Sequence, residues 1–173
     1  MSARHVMAVD AGTGGARALI FDEAGGQVAV SYREWAHHEP ADAPGGQDFD
    51  TAANWPLIAE CIGEVLRRAG LTGADIAAVS TTSMREGIVL YDEARTEIWA
   101  CPNVDGRAGV EALELVEEGS AQTIYDLGGD WVAITSPPRL RWLATHRPEI
   151  WDRIAHLSLL SDWISFRLCG EGA

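Results

Sequence analysis

Two short apolar runs open the chain and flank a Gly-Thr-Gly-Gly turn, within Val6-Met-Ala-Val-Asp-Ala-Gly-Thr-Gly-Gly-Ala-Arg-Ala-Leu-Ile-Phe-Asp22. Apolar run, glycine turn, apolar run predicts a hairpin of buried strands. Residues Gln27–Trp35 read as a third strand, joined through the turn Glu23-Ala-Gly-Gly26, so the first 35 residues form an antiparallel meander. A loop rich in proline and glycine covers His37–Asp48. A helix follows from Asp50 to Ala69, capped by Asp50 or Thr51, with Trp55, Ile58, Ile62, Val65 and Leu66 on its apolar face and Gly70 ending it. Ile76–Ser80 reads as a short buried strand, and Ile88–Tyr91 with Glu97–Ala100 as a second hairpin. Helices are expected at Gly106–Glu118, Ala121–Leu127 and Pro138–Thr145, the last opening on a proline whose missing N–H costs little there. Ile154–Leu160 is again strand-like, and Asp162 can cap a final helix running through Leu168 to Gly170. Strands and helices alternating in this order, with mixed strand directions, predict an α/β fold.

Composition narrows the function. The 173 residues are 47% hydrophobic and 23% charged, ordinary for a globular domain with a proper core. Thirteen basic residues against 26 acidic ones leave a net charge of −13, with the positive charge carried by arginine. That balance argues against nucleic acid and anionic membrane as partners, since both demand neutralisation of phosphates. No apolar run approaches membrane-spanning length and no signal-peptide pattern opens the chain, so a cytoplasmic location is expected. Cys61, Cys101 and Cys169 are scattered and odd in number, as free thiols in a reducing compartment would be.

Two stretches carry chemistry. In the first hairpin, Gly12, Gly14 and Gly15 allow backbone N–H groups to crowd around a small anion, Thr13 adds a hydroxyl and Arg17 a fixed positive charge. Asp10 would repel a phosphate directly, so its natural role is to hold a divalent cation, or that cation's waters, bridging to phosphate oxygens. A plain hairpin loop is the competing reading of the same glycines. The turn is not a Walker loop, for no Gly-Lys-Ser/Thr follows, and not a dinucleotide fingerprint, for a strand follows it instead of a helix. The second stretch is Ser83-Met-Arg-Glu-Gly87, just past the expected strand at Ile76–Ser80, where open α/β sheets place their ligand crevices. Arg85 offers donors and Glu86 acceptors to a polyol, against the plainer alternative of a surface ion pair.

The hairpin resembles the first phosphate loop of the actin-like ATPase superfamily, with its ribonuclease-H-like α/β fold. The order Asp10-Ala-Gly-Thr-Gly-Gly-Ala-Arg17, Met84-Arg-Glu86, Asn103-Val-Asp-Gly-Arg107 and Ser161-Asp-Trp163 is similar to the N-terminal part of the FGGY carbohydrate kinases. Within that family, Ser83–Tyr91, Ile98–Arg107 and Ile154–Trp163 resemble the autoinducer-2 kinase branch. The resemblance implies ATP and Mg2+ as cofactors, a mixed sheet with flanking helices, and a small sugar as substrate, with a homo-oligomer compatible. It implies that Asp10 organises the metal and that Gly12, Thr13, Gly14 and Arg17 belong to the phosphate loop. It further implies that Arg85, Glu86, Asn103 and Asp105 line the sugar site, Arg107 lies nearby, and Asp162 with Trp163 starts a helix. Glycerol and xylulose kinases place a tryptophan where Asn103 stands, and xylulose kinases carry Met-His where Arg85-Glu86 stands. Both departures weaken those substrates and suit the open dihydroxypentanedione form of autoinducer-2.

Family members are longer, and their general-base aspartate lies beyond the position matching Ala173. Residues 1–173 are therefore expected to be the N-terminal, sugar-binding part of kinase domain I, an incomplete domain without the C-terminal ATPase half and inactive alone. A non-catalytic sugar- or phosphate-binding module is the alternative. An actin-like ATPase or chaperone fragment is the third reading, which the Arg85-Glu86 and Asp105-to-Arg107 blocks oppose.

Overall fold

A computed structural model describes residues 4–170, and the expectation attached to the last residues, 171–173, lies outside them. The described chain forms two units, residues 4–36, 50–84 and 159–170 in the first, and 37–49 and 85–158 in the second.

The first unit is built on a four-stranded sheet. Strands β1 (His5–Gly12), β2 (Gly15–Phe21) and β3 (Gln27–Glu34) form the expected antiparallel meander. Strand β4 (Ile76–Ser83) joins β1 in parallel, so the sheet is mixed, in the order β3-β2-β1-β4. Strand alternation sends Met7, Val9 and Ala11 of β1 and Ala16, Ala18 and Ile20 of β2 into the core. Helix α1 (Thr51–Ala69) is capped by Asp50, whose carboxylate accepts the Ala53 N–H at 2.8 Å, and ends at Gly70 in the left-handed region (φ 67°). Ile58 and Val65 of the expected face are buried, joined by Asn54 and Cys61, while Trp55, Ile62 and Leu66 are half-buried. Trp55 packs instead edge-on against Trp163 of helix α6 (Leu160–Cys169), with ring centroids 6.0 Å apart.

Two further expectations are corrected here. Strand β4 was expected to be short and buried, yet it runs on to Ser83 and leaves Ala77–Ser80 exposed, because it lies at the edge of the sheet. Asp162 lies inside α6 and accepts the Leu159 N–H at 3.3 Å, so it satisfies the helix start from within the first turn.

The second unit holds a separate sheet in the order β6-β5-β7, made of β5 (Ile88–Tyr91), β6 (Glu97–Cys101) and β7 (His156–Leu159). All four β5 residues are buried. Its helices are α2 (Gly109–Glu117), α3 (Ser120–Gly128), α4 (Ser136–His146) and α5 (Pro148–Trp151), and α5 was not foreseen. Helix α2 starts three residues later than expected, leaving Gly106–Ala108 as loop. One core joins Ile88, Leu90, Cys101, Ala108, Trp142 and Leu143.

Candidate functional site

In the first unit, strand register settles the neighbours of Asp10. It is half-buried near the end of β1, opposite Arg17 on β2 and Thr82 on β4. Gly12 and Gly15 pair across the hairpin, which leaves Thr13 and Gly14 as a two-residue turn. The turn is pinned from behind. Tyr32 Oη donates to the Gly14 carbonyl at 3.1 Å, the Trp35 N–H donates to the same oxygen at 3.3 Å, and Trp35 Nε1 donates to the Thr13 carbonyl at 3.1 Å. A trans peptide directs its N–H opposite to its carbonyl, so the Gly14 N–H is aimed away from Trp35. The Arg17 guanidinium sits 5.6 Å from the Tyr32 ring centroid and is exposed. Gly15 has a packing reason to be glycine: a Cβ there would lie 2.3 Å from the Arg33 carbonyl oxygen.

The second unit carries the other candidates. Arg85 is exposed, with Nη1 3.4 Å from Asp130. Glu86 is half-buried and holds a left-handed backbone (φ 62°), which disfavours a residue with a side chain. Its carbonyl accepts from Arg139 Nη1 at 2.8 Å, and Arg139 Nη2 donates to the carbonyls of Asn103 at 3.0 Å and Asp105 at 3.3 Å. One buried guanidinium thus brings Glu86, Asn103 and Asp105 together. Arg139 was missed by the sequence reading, since an arginine behind two prolines at a helix start carries no signal of burial.

Asp105 was expected to line the sugar site. Its side chain is fully enclosed, and Oδ1 accepts from the Gln47 N–H at 2.8 Å and from Arg107 Nε at 2.8 Å. Oδ2 lies 3.5 Å from Arg139 Nε. Arg107 is buried with it, reaching Asp48 through Nη2 at 2.5 Å and lying 5.1 Å from the ring centroids of both Trp99 and Trp142. Burial works against the Arg107 charge, but the hydrogen bonds to Asp105 and Asp48 outweigh it and hold its pKa above the ordinary arginine value. A cavity of about 330 Å³ in the same unit is walled mainly by apolar groups such as Leu113, Val116, Trp131 and Pro138, with Asp105 and Arg139 also lining it. Its apolar walls do not suit a polyol.

Among the described residues, no group of three or more His, Cys, Asp or Glu side chains could hold a metal ion. A lone half-buried carboxylate at Asp10 does fit Mg2+, which takes one or two protein carboxylates and fills its octahedron with water and phosphate oxygens. No described helix is long and apolar enough to cross a membrane.

Comparison with known proteins bears on the whole chain. Residues 5–173 match the N-terminal domain of the FGGY family of carbohydrate kinases. The chain is 47% identical over 173 residues to the autoinducer-2 kinase of Salmonella typhimurium (strain LT2), covering 98% of this chain and 33% of that protein. The structure superposes on xylulose kinase from Rhodospirillum rubrum with a TM-score of 0.86 at 27% identity, covering 97% of this chain and 34% of that one. Gluconate kinase from Lactobacillus acidophilus gives a TM-score of 0.88 at 20% identity, over 98% of this chain and 34% of that one, a likeness of fold alone. The fold is the actin-like α/β fold of these sugar kinases, and the chain spans about a third of the length of the curated relatives it matches.

Proposed function

The chain belongs to the FGGY family of carbohydrate kinases, and from that premise we propose that it is the sugar-holding part of a kinase transferring the terminal phosphoryl group of ATP to a small sugar hydroxyl. The substrate proposed is autoinducer-2 in its open dihydroxypentanedione form. The observation that carries this reading is the 47% identity, over nearly the whole chain, to a relative named for that activity.

The side chains divide the work. Arg85 presents guanidinium donors, Glu86 carboxylate acceptors, and Asn103 an amide that does both, a set matched to adjacent hydroxyls and a hydrated carbonyl. Asp105, engaged inside the unit, holds the loop that presents Asn103 and leaves sugar contact to the other three. In the first unit, Gly12, Thr13, Gly14 and Arg17 would receive phosphate oxygens, and Asp10 would hold Mg2+ through its carboxylate. When bound, the metal would neutralise charge on the phosphoryl oxygens.

Calorimetric titration of the chain with dihydroxypentanedione, xylulose, gluconate and glycerol tests the reading. Dihydroxypentanedione should bind tightest, and Arg85→Ala and Glu86→Gln should each weaken it about tenfold or more, as loss of a charged hydrogen bond implies. Tighter binding of xylulose or glycerol, or affinity indifferent to both substitutions, would refute it.

A further inference from the structure

Arg139 stands in the first turn of α4 and is only 3% exposed. Its guanidinium collects three main-chain carbonyls from two loops distant in sequence: Glu86 before β5, and Asn103 and Asp105 between β6 and α2. Its charge is met by the enclosed carboxylate of Asp105, 3.5 Å from Nε. We infer that Arg139 is a positioning residue of the sugar site, a clamp whose three carbonyl hydrogen bonds hold the Arg85–Glu86 and Asn103 loops in one geometry. The inference rests on the reading of Arg85, Glu86 and Asn103 as sugar ligands.

Two physical reasons support the clamp. Glu86 is held at φ 62°, a conformation that a non-glycine residue keeps only where its surroundings over-determine it. The hydrogen bond from Arg139 to the Glu86 carbonyl supplies that restraint at 2.8 Å. The second reason is the shape of the donor. A guanidinium is planar, with N–H groups in a fixed fork, so bonds made from Nη1 and Nη2 set the distance between the loops they reach. A lysine ammonium at the same place is a point charge on a flexible stem and cannot fix that spacing. The role differs from that of Arg85, which is exposed and available to a ligand. Arg139 acts through the backbone of residues that touch the sugar and does not touch it itself.

The test uses the 173-residue chain, with Arg139→Lys as the mild variant that keeps the charge and Arg139→Met as the severe one. Arg141→Met serves as control, since Arg141 pairs with Glu118 nearer the surface. Two readouts are taken together, amide hydrogen exchange by segment and dihydroxypentanedione affinity by titration. Arg139→Lys should speed exchange at Ile88, enclosed at the start of β5, and at Asp105, whose N–H donates to the Pro102 carbonyl, about tenfold or more and weaken sugar binding by a similar factor. Exchange in β1, β2 and β3 should stay unchanged, which separates loop release from general unfolding. The control should move neither readout. Unchanged exchange at both loops, with wild-type sugar binding intact, overturns the clamp. Faster loop exchange with undiminished affinity overturns its role in sugar positioning. A wild-type chain that binds no sugar refutes the sugar-site reading itself, and the positioning role with it.

Discussion

Replacing Arg107 by Met should sharply weaken the second unit. The guanidinium is all but enclosed, bonded to Asp105 at 2.8 Å and Asp48 at 2.5 Å, and lies between the Trp99 and Trp142 rings. Removing one partner of a buried ion pair costs about 3–5 kcal/mol, because the other charge stays buried and uncompensated. Here the Gln47 N–H at 2.8 Å and Arg139 at 3.5 Å still face Asp105, which pulls the ionic share towards the lower figure. Loss of two cation–π contacts adds about 1 kcal/mol each, so the expected total is roughly 5 kcal/mol. Against a domain stability of about 5–15 kcal/mol this is a large share. With a urea dependence of about 2 kcal/mol per molar, the midpoint should fall by about 2.5 M. Tryptophan fluorescence is the natural probe, since Trp99 and Trp142 flank the substituted group. A loss below about 1 kcal/mol would refute the buried-pair account.

Gly15→Ala should weaken the first unit by about 3 kcal/mol, the upper range for overpacking, since the added Cβ meets a strand carbonyl and the Tyr32 ring; a urea midpoint within about 0.5 M of wild type would contradict this. The thiols should separate by reactivity. Burial pushes Cys101 up to about 12 and raises Cys61, so both stay protonated at a labelling pH of about 8, while Cys169 is exposed. A thiol reagent should label Cys169 in the native chain and all three cysteines after unfolding, and fast native labelling of Cys101 would count against the packing described.

The meander, the Asp50–Gly70 helix span and the second hairpin were legible in the sequence because local rules govern them. Strand alternation, an aspartate cap and a left-handed glycine each act within a few residues. The glycine turn between β1 and β2 was visible for the same reason, as a contiguous pattern. The face of α1 was legible in part: Ile58 and Val65 are buried as read, whereas Trp55, Ile62 and Leu66, just as apolar, stay half-buried. Only the site of packing, Asn54–Ile58–Cys61–Val65 inward and Trp55 towards Trp163, decides which positions go deepest. Strand β4 was likewise read as buried from its composition, whereas its exposure follows from its place at the edge of the described sheet.

The sequence by itself therefore determined the element order apart from α5, the glycine turn with its acid and base, and the family. Tertiary structure alone decided the allegiance of the polar groups between Gln47 and Arg139. Asp105 and Arg107 sit two residues apart in a stretch the family resemblance places at the sugar site, and Arg139 lies 34 residues beyond Asp105. An ionised side chain can be enclosed only where partners of opposite charge and open carbonyls converge, and that convergence comes from chain segments meeting in space. Spacing along the chain carries no trace of it.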